Sequence, residues 1–246
     1  MVLRNSLLIR GRVFKELRRD YRSMFLYIAS PSLVLLLLKG IMNHNNAAFD
    51  HYALVTTGLF PTAPTFLFVA FAIIRDRNNL TLEHLLTTPV SKVDVILGYI
   101  MAFITPAFIQ VGLMLSVVYG LTEFHVAGSW WEIGLIALAN NVLGMGVGLF
   151  ATNFARNEFQ MTKIIAMTGI SHLILSGFFR PVNHMVGWMQ FLAHFAPWRY
   201  GVSALIPFQG HVWPTAAVWF NLGVIAFILL LFFSLSTFTI LSRRTA

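Results

Sequence analysis

Cysteine is absent from the 246 residues. That removes disulfides, thiolate metal sites and cysteine nucleophiles. Charge is scarce as well: 11% of residues are charged and 57% are hydrophobic. Soluble domains carry about 25% charge and about 45–50% apolar residues, and one this apolar would expose large patches that monomers avoid. No GxxxxGK[ST] phosphate loop occurs, and no serine sits in a nucleophile elbow. The eight histidines (His44, His51, His84, His125, His172, His184, His194 and His211) show no HExxH or comparable metal spacing. None of the nine carboxylates falls in the middle of a long apolar run. Intramembrane ionisable groups mark proton and ion paths, so an ion-coupled carrier is disfavoured. An enzyme has no chemistry to use, and the chain has no means of hydrolysing ATP itself.

What the chain has is apolar length. Crossing a bilayer takes roughly 20 apolar residues per helix, and six runs qualify, at about 23–42, 52–74, 93–120, 130–152, 160–179 and 215–241. They far exceed the ~10 alternating residues of a barrel strand. The expected fold is an all-α polytopic membrane protein, one transmembrane domain over 1–246. Thr168, Ser171, His172 and Ser176 dilute the fifth run. Basic residues orient the spans, because cytoplasmic loops collect Lys and Arg. With the N-terminus inside, Arg4, Arg10, Arg12, Lys15, Arg18, Arg19, Arg22, Arg75, Arg77, Lys92, Arg156, Lys163, Arg243 and Arg244 are inside, against Lys39, Arg180 and Arg199 outside. Both termini are therefore expected in the cytoplasm, in an inner (plasma) membrane. The net charge of +8 is this topology signal, not a nucleic-acid surface. The basic N-terminal stretch precedes a long run without a small-residue cleavage site, unlike a signal peptide.

Three segments carry more than a span. Residues 1–22 have helical periodicity, with Leu3, Leu7, Phe14, Leu17 and Tyr21 on one side and Arg4, Arg12, Lys15, Arg18, Arg19 and Arg22 on another. A basic amphipathic helix of this kind rests among lipid headgroups. The inner segment RDRNNLTLEHLLTTPVS, 75–91, predicts a short helix capped by Asn78 or Asn79, edged by Leu82, Leu85 and Leu86 and stopped at Pro89. The outer segment 180–214 is apolar yet interrupted by Pro181, Pro197, Pro207, Gly210 and Pro214. It predicts short helices in the outer leaflet, with Trp188, Trp198, Tyr200 and Trp213 as interface rings. Gly144 and Gly148 in the fourth run predict close helix packing within the chain.

The run RDRNNLTLEHLLTTPVSKVDVILG, 75–98, resembles the signature region of ABC-2-type exporter permeases. That region reads R-E-R-x-x-G-T-L-E-x-L-L-x-T-P-x-S, followed by L-G-K. Arg75, Arg77, Thr81, Leu82, Glu83, Leu85, Leu86, Thr88, Pro89, Ser91, Leu97 and Gly98 match, just after the second run. Pro181, Trp188, Pro197 and Tyr200 resemble the family's outer region. Three departures stand out: Asp76 for glutamate, Asn79 or Asn78 where glycine is favoured, and Tyr99 for lysine. The resemblance implies a permease subunit that exports a bulky or amphipathic substrate (drug, lipid, glycolipid or polysaccharide). It also implies a second permease, identical or related, and two cytosolic ABC ATPase subunits that hold ATP and Mg; this chain binds no cofactor directly. The ATPases would dock through Arg77, Asn79, Thr81, Leu82, Glu83, Leu85, Leu86 and Pro89. The interface helix would contribute Arg4, Arg12, Phe14, Lys15, Leu17 and Arg18. A membrane-embedded immunity, sensor or scaffold protein would share the spans and the charge bias.

The charge bias generates a first test. A reporter that works only in the cytosol, fused after Ala246, is expected to be active. Activity of an export-dependent reporter at the same position would overturn the topology.

Overall fold

The computed structural model describes residues 2–42, 46–81, 85, 87, 90–121, 130–209 and 215–242, with no strand among them. In chain order the helices are α1 (Val2–Arg19), α2 (Tyr21–Ile41), α3 (Asn46–Leu59), α4 (Thr62–Asn78) and α5 (Lys92–Leu121). They continue as α6 (Trp130–Ala151), α7 (Glu158–Leu175), α8 (Gly187–His194), α9 (Pro197–Leu205) and α10 (Thr215–Ser242). Short 3-10 turns lie at Val182–His184 and Ile206–Gln209.

Among the described residues, five helical stretches are long and apolar enough to cross a membrane: Tyr21–Ile41, Ala48–Asn78, Lys92–Gly120, Trp130–Ala151 and Val218–Thr237. The second joins α3 to α4. Phe60 still donates to the Thr56 carbonyl at 2.8 Å, but Pro61 offers no N–H to the turn before it, so one helical bond is missing at Pro61 while the residue keeps helical angles. The fifth predicted span, 160–179, is not among the five. Its helix, α7, is 18 residues long and carries Glu158, Gln160, Lys163 and His172.

Membrane helices gain nothing from hydrophobic burial against one another, and they associate through close packing and polar contacts. Both devices are present. Gly144 and Gly148 put α6 directly on the backbone of α4: a Cβ at Gly144 would stand 2.5 Å from the Thr62 carbonyl oxygen, and one at Gly148 2.9 Å from that of Phe66. The glycine pair thus serves a contact inside the chain. The polar device starts at Pro31 within α2, which leaves the Tyr27 carbonyl without its helical donor. The Gln110 side chain on α5 donates to that carbonyl at 2.8 Å. Asn141 on α6 donates to the Gln110 side-chain oxygen, and its own oxygen accepts from Thr65 on α4 and from the Tyr27 hydroxyl. One buried network therefore links α2, α4, α5 and α6.

The outer segment is helical over much of its length, but it does not all lie at a surface. In α9, Trp198, Val202, Ala204 and Leu205 are buried. Trp198 packs edge-on against Phe66 and against the His172 ring. It is a core residue, not the interface ring its sequence context suggests. The helix is amphipathic, and its apolar side faces α3, α6 and α10. Trp188, Phe191 and Phe195 on and beside α8 are exposed. Trp213 and Pro214 lie outside the described residues.

Replacing Gly144 by Ala drives a methyl into a backbone carbonyl, an overpacking that costs about 1–3 kcal/mol. Gly169 on α7 has open space around it. In detergent, Gly144→Ala is expected to lower the melting temperature while Gly169→Ala leaves it unchanged or raised. Equal behaviour of the two variants would contradict the α4–α6 contact.

Candidate functional site

Three consecutive residues on a helix point about 100° apart, so Arg75, Asp76 and Arg77 at the end of α4 reach in three directions. Arg75 is exposed. Arg77 turns to α6 and donates to the carbonyls of Thr152 at 3.0 Å and Ala155 at 3.1 Å. Both carbonyls belong to the connection that follows α6, so the guanidinium pins the chain where it leaves that helix. Asp76 points inward and is 6% exposed. Its carboxylate accepts from the Arg12 guanidinium of α1 and from the Tyr99 hydroxyl of α5. Positions 76 and 99, two of the departures from the exporter signature, are thus partners in one contact.

The start of α5 is held by a reciprocal cap. The Asp94 N–H donates to the Ser91 hydroxyl at 3.1 Å, and the Ser91 N–H to the Asp94 carboxylate at 2.9 Å. This is the capping-box pattern with an aspartate in the acidic place. Asn5 of α1 reaches the same carboxylate at 3.4 Å. One turn on, Gly98 leaves room for Ile9: a Cβ there would lie 2.6 Å from the Ile9 Cγ2 and 3.2 Å from the Ser6 carbonyl oxygen. The signature's Leu-Gly therefore marks the crossing of α1 over α5.

That crossing corrects the expected apolar side of α1. The buried stripe is Ser6, Ile9 and Val13, with Phe14 and Leu17 packed beside it. Leu7, Leu8 and Tyr21 are exposed, and the Leu3 side chain lies outside the described residues. Periodicity weighs hydrophobicity alone, whereas the tightest part of a helix crossing takes a small residue, here Ser6. Of the basic residues, Arg4, Lys15 and Arg18 are exposed, while Arg12 turns inward to Asp76.

Of the proposed docking residues, Asn79 is exposed at the C-cap of α4, with its N–H on the Arg75 carbonyl at 2.9 Å. Thr81 and Leu85 are half-buried. Leu82, Glu83, Leu86 and Pro89 lie outside the described residues. The turn after α4 is made by Leu80, with φ +57°. A left-handed backbone favours glycine, so the place that the exporter signature gives to glycine is Leu80, not Asn78 or Asn79. His172 bonds within its own helix, Nδ1 to the Thr168 carbonyl at 2.8 Å, not to a neighbouring one.

The arrangement is a mechanical joint. Side chains of α1, α4 and α5 meet at one buried carboxylate, and α6 is tied on by Arg77. The capping box was readable as Ser91-x-x-Asp94. The Asp76–Tyr99 pair had no such signal, since 23 residues separate the two.

A family model described as ABC-2 type transporter matches residues 7–210. The linearmycin resistance permease protein LnrN of Bacillus subtilis (strain 168) is 26% identical over 141 residues, 57% of this chain and 36% of that protein. ABC transporter G family member 23 of Dictyostelium discoideum is 22% identical over 215 residues, 81% of this chain and 30% of that one. Nodulation protein J of Neorhizobium galegae is 25% identical over 218 residues, 83% of this chain and 79% of that protein. The matched part is thus about a third of the length of the first two.

Leu80 offers a local test. A left-handed residue other than glycine costs about 1–2 kcal/mol, partly offset in a glycine by about 0.5–1 kcal/mol of extra chain entropy. Melting temperature should therefore rank Leu80→Gly at or above wild type and Leu80→Val below it. A valine variant as stable as wild type would refute the left-handed turn.

Proposed function

The chain belongs to the ABC-2 type transporter family and is a multi-pass membrane protein, and from that premise we propose that it is the permease subunit of an ATP-driven exporter. The observation that supports this reading most is the joint at Asp76. Residues of the signature region tie α1, α4 and α5 and the chain after α6 together where α4 ends and α5 begins. A partner pressing on segment 78–90 or on α1 would move several spans as a unit. Such a partner has to supply the nucleotide chemistry, for which this chain has no phosphate loop. Two cytosolic ATP-binding-cassette ATPase subunits holding ATP and Mg fit that need, with a second permease copy or relative completing the pathway.

In this reading α7 is the fifth of six spans, both termini are cytoplasmic, and α1 lies along the inner headgroup region as the interface helix. Exposed Met167, Ile170 and Ile174 on α7 then face lipid or the second permease. Arg77 acts as a brace inside the permease, while Glu83, Leu82, Leu86 and Pro89 form the dock. The substrate is bulky or amphipathic, in keeping with a relative named for resistance to linearmycin.

The test is expression of the chain together with its native gene neighbours, purification on the permease, and identification of any ATP-binding-cassette ATPase that is retained. Wild type is expected to retain the ATPase. Glu83→Gln should still insert, yet hold it at least tenfold more weakly, because losing one partner of a desolvated charge pair costs roughly 2–5 kcal/mol. If Glu83 is a plain helix-end charge, worth about 0.3–1 kcal/mol, retention barely changes and the dock is misassigned. If wild type retains no ATPase, the exporter reading itself falls and a non-transporting immunity, sensor or scaffold role takes its place.

A further inference from the structure

A cavity of about 250 Å³ opens between α1, α2 and α4, on the side of the Asp76 joint away from α5. That is space for roughly eight waters at ~30 Å³ each. Leu17, Leu67, Phe68 and Phe71 wall it with hydrocarbon, and Glu16, Asp20 and Arg75 stand at its polar end. Asp76 also borders it, but its carboxylate is taken by Arg12 and Tyr99. Glu16 lies 3.9 Å from Arg12, a guanidinium already engaged by Asp76. The polar end thus presents two carboxylates and one guanidinium to whatever enters. Hydrogen bonds from Ser23 hold the Asp20 carboxyl below the ordinary carboxylate range, and Arg75 adds to this.

We propose that this cavity binds the headgroup of a zwitterionic phospholipid bearing a primary ammonium, a phosphoethanolamine lipid, with its chains running out along the apolar wall. Charge complementarity selects it. An anionic headgroup would bring its phosphate against Glu16 and Asp20. A simple cationic amphiphile would meet Arg75. An ammonium two carbons from a phosphate places one charge on the carboxylates and the other on the guanidinium, as bonded contacts between opposite charges require. A trimethylammonium headgroup has the same charges but no N–H to donate. Val13, Glu16 and Leu17 of α1 line the site, and a basic amphipathic helix of this kind rests among headgroups; naming the inner leaflet rests on the orientation proposed above, whereas the headgroup preference does not.

The experiment uses the purified full chain, stripped of lipid and exchanged with equal amounts of phosphatidylethanolamine, phosphatidylglycerol and phosphatidylcholine of identical chains, with retained lipid read by native mass spectrometry. Phosphatidylethanolamine is expected to be retained roughly tenfold over either competitor, about 1.4 kcal/mol in affinity. Glu16→Gln with Asp20→Asn should move the preference to phosphatidylglycerol, since Arg75 remains. The fold should survive, because asparagine caps a helix as well as aspartate. Arg75→Gln leaves the two carboxylates in place, so it should lower phosphatidylglycerol most and keep phosphatidylethanolamine ahead of phosphatidylcholine. Equal retention of the three lipids by wild type, or an unchanged preference in both variants, would overturn the site.

Discussion

A carboxylate cannot be buried alone. Taking one out of water costs several kcal/mol unless partners satisfy it, and Asp76 sits at 6% exposure near the end of α4. Its two partners come from different helices, Arg12 of α1 and Tyr99 of α5. The neighbouring features serve the same joint. Gly98 lets α1 lie close enough on α5 for Arg12 to reach across. Ser91 and Asp94 fix where α5 begins, and Asn5 ties α1 to that cap. Arg77, one residue on from Asp76, secures α6. The joint ties helices at one end of the bundle together, the property that the proposed drive by a partner ATPase would call on.

Deeper in the bundle the same problem is solved with uncharged groups. Pro31 frees a carbonyl in α2, and Gln110 answers it. Asn141 passes the link to α4 and α6, and a second amide, Asn140, donates to the Gly58 carbonyl at 2.9 Å. Unsatisfied backbone groups at membrane depth cost several kcal/mol each, so these amides set which helices neighbour one another.

Much of this was legible in the sequence. Long apolar runs located five spans, without the one expected at 160–179, and the glycine pair in the fourth run pointed to close packing within the chain, whose partner is α4. The exporter signature marked the end of α4 and the start of α5, where Arg77, Ser91 and Gly98 make their contacts. What stayed hidden depends on partners distant in the chain. Arg12 reads as one basic residue among seven near the N-terminus until Asp76 claims it. Trp198 reads as an interface ring because its flanks are broken by prolines, yet α9 folds back into the bundle. Gln110, Asn140 and Asn141 were visible as polar residues in apolar runs, but screening for ionisable groups passes over amides. The glycine position of the signature falls on Leu80 rather than Asn78 or Asn79, both by counting from Arg75 and by the left-handed backbone there.

The measurement that bears most directly on the joint is a double-mutant cycle on Arg12→Met and Asp76→Asn, read as thermal unfolding of the purified chain in detergent. If Asp76 holds α1 through Arg12, each single variant loses stability and the double variant loses much less than their sum, a coupling of roughly 1–3 kcal/mol. Losses that add to within about 0.5 kcal/mol would mean that the two residues act independently, and the joint would not exist.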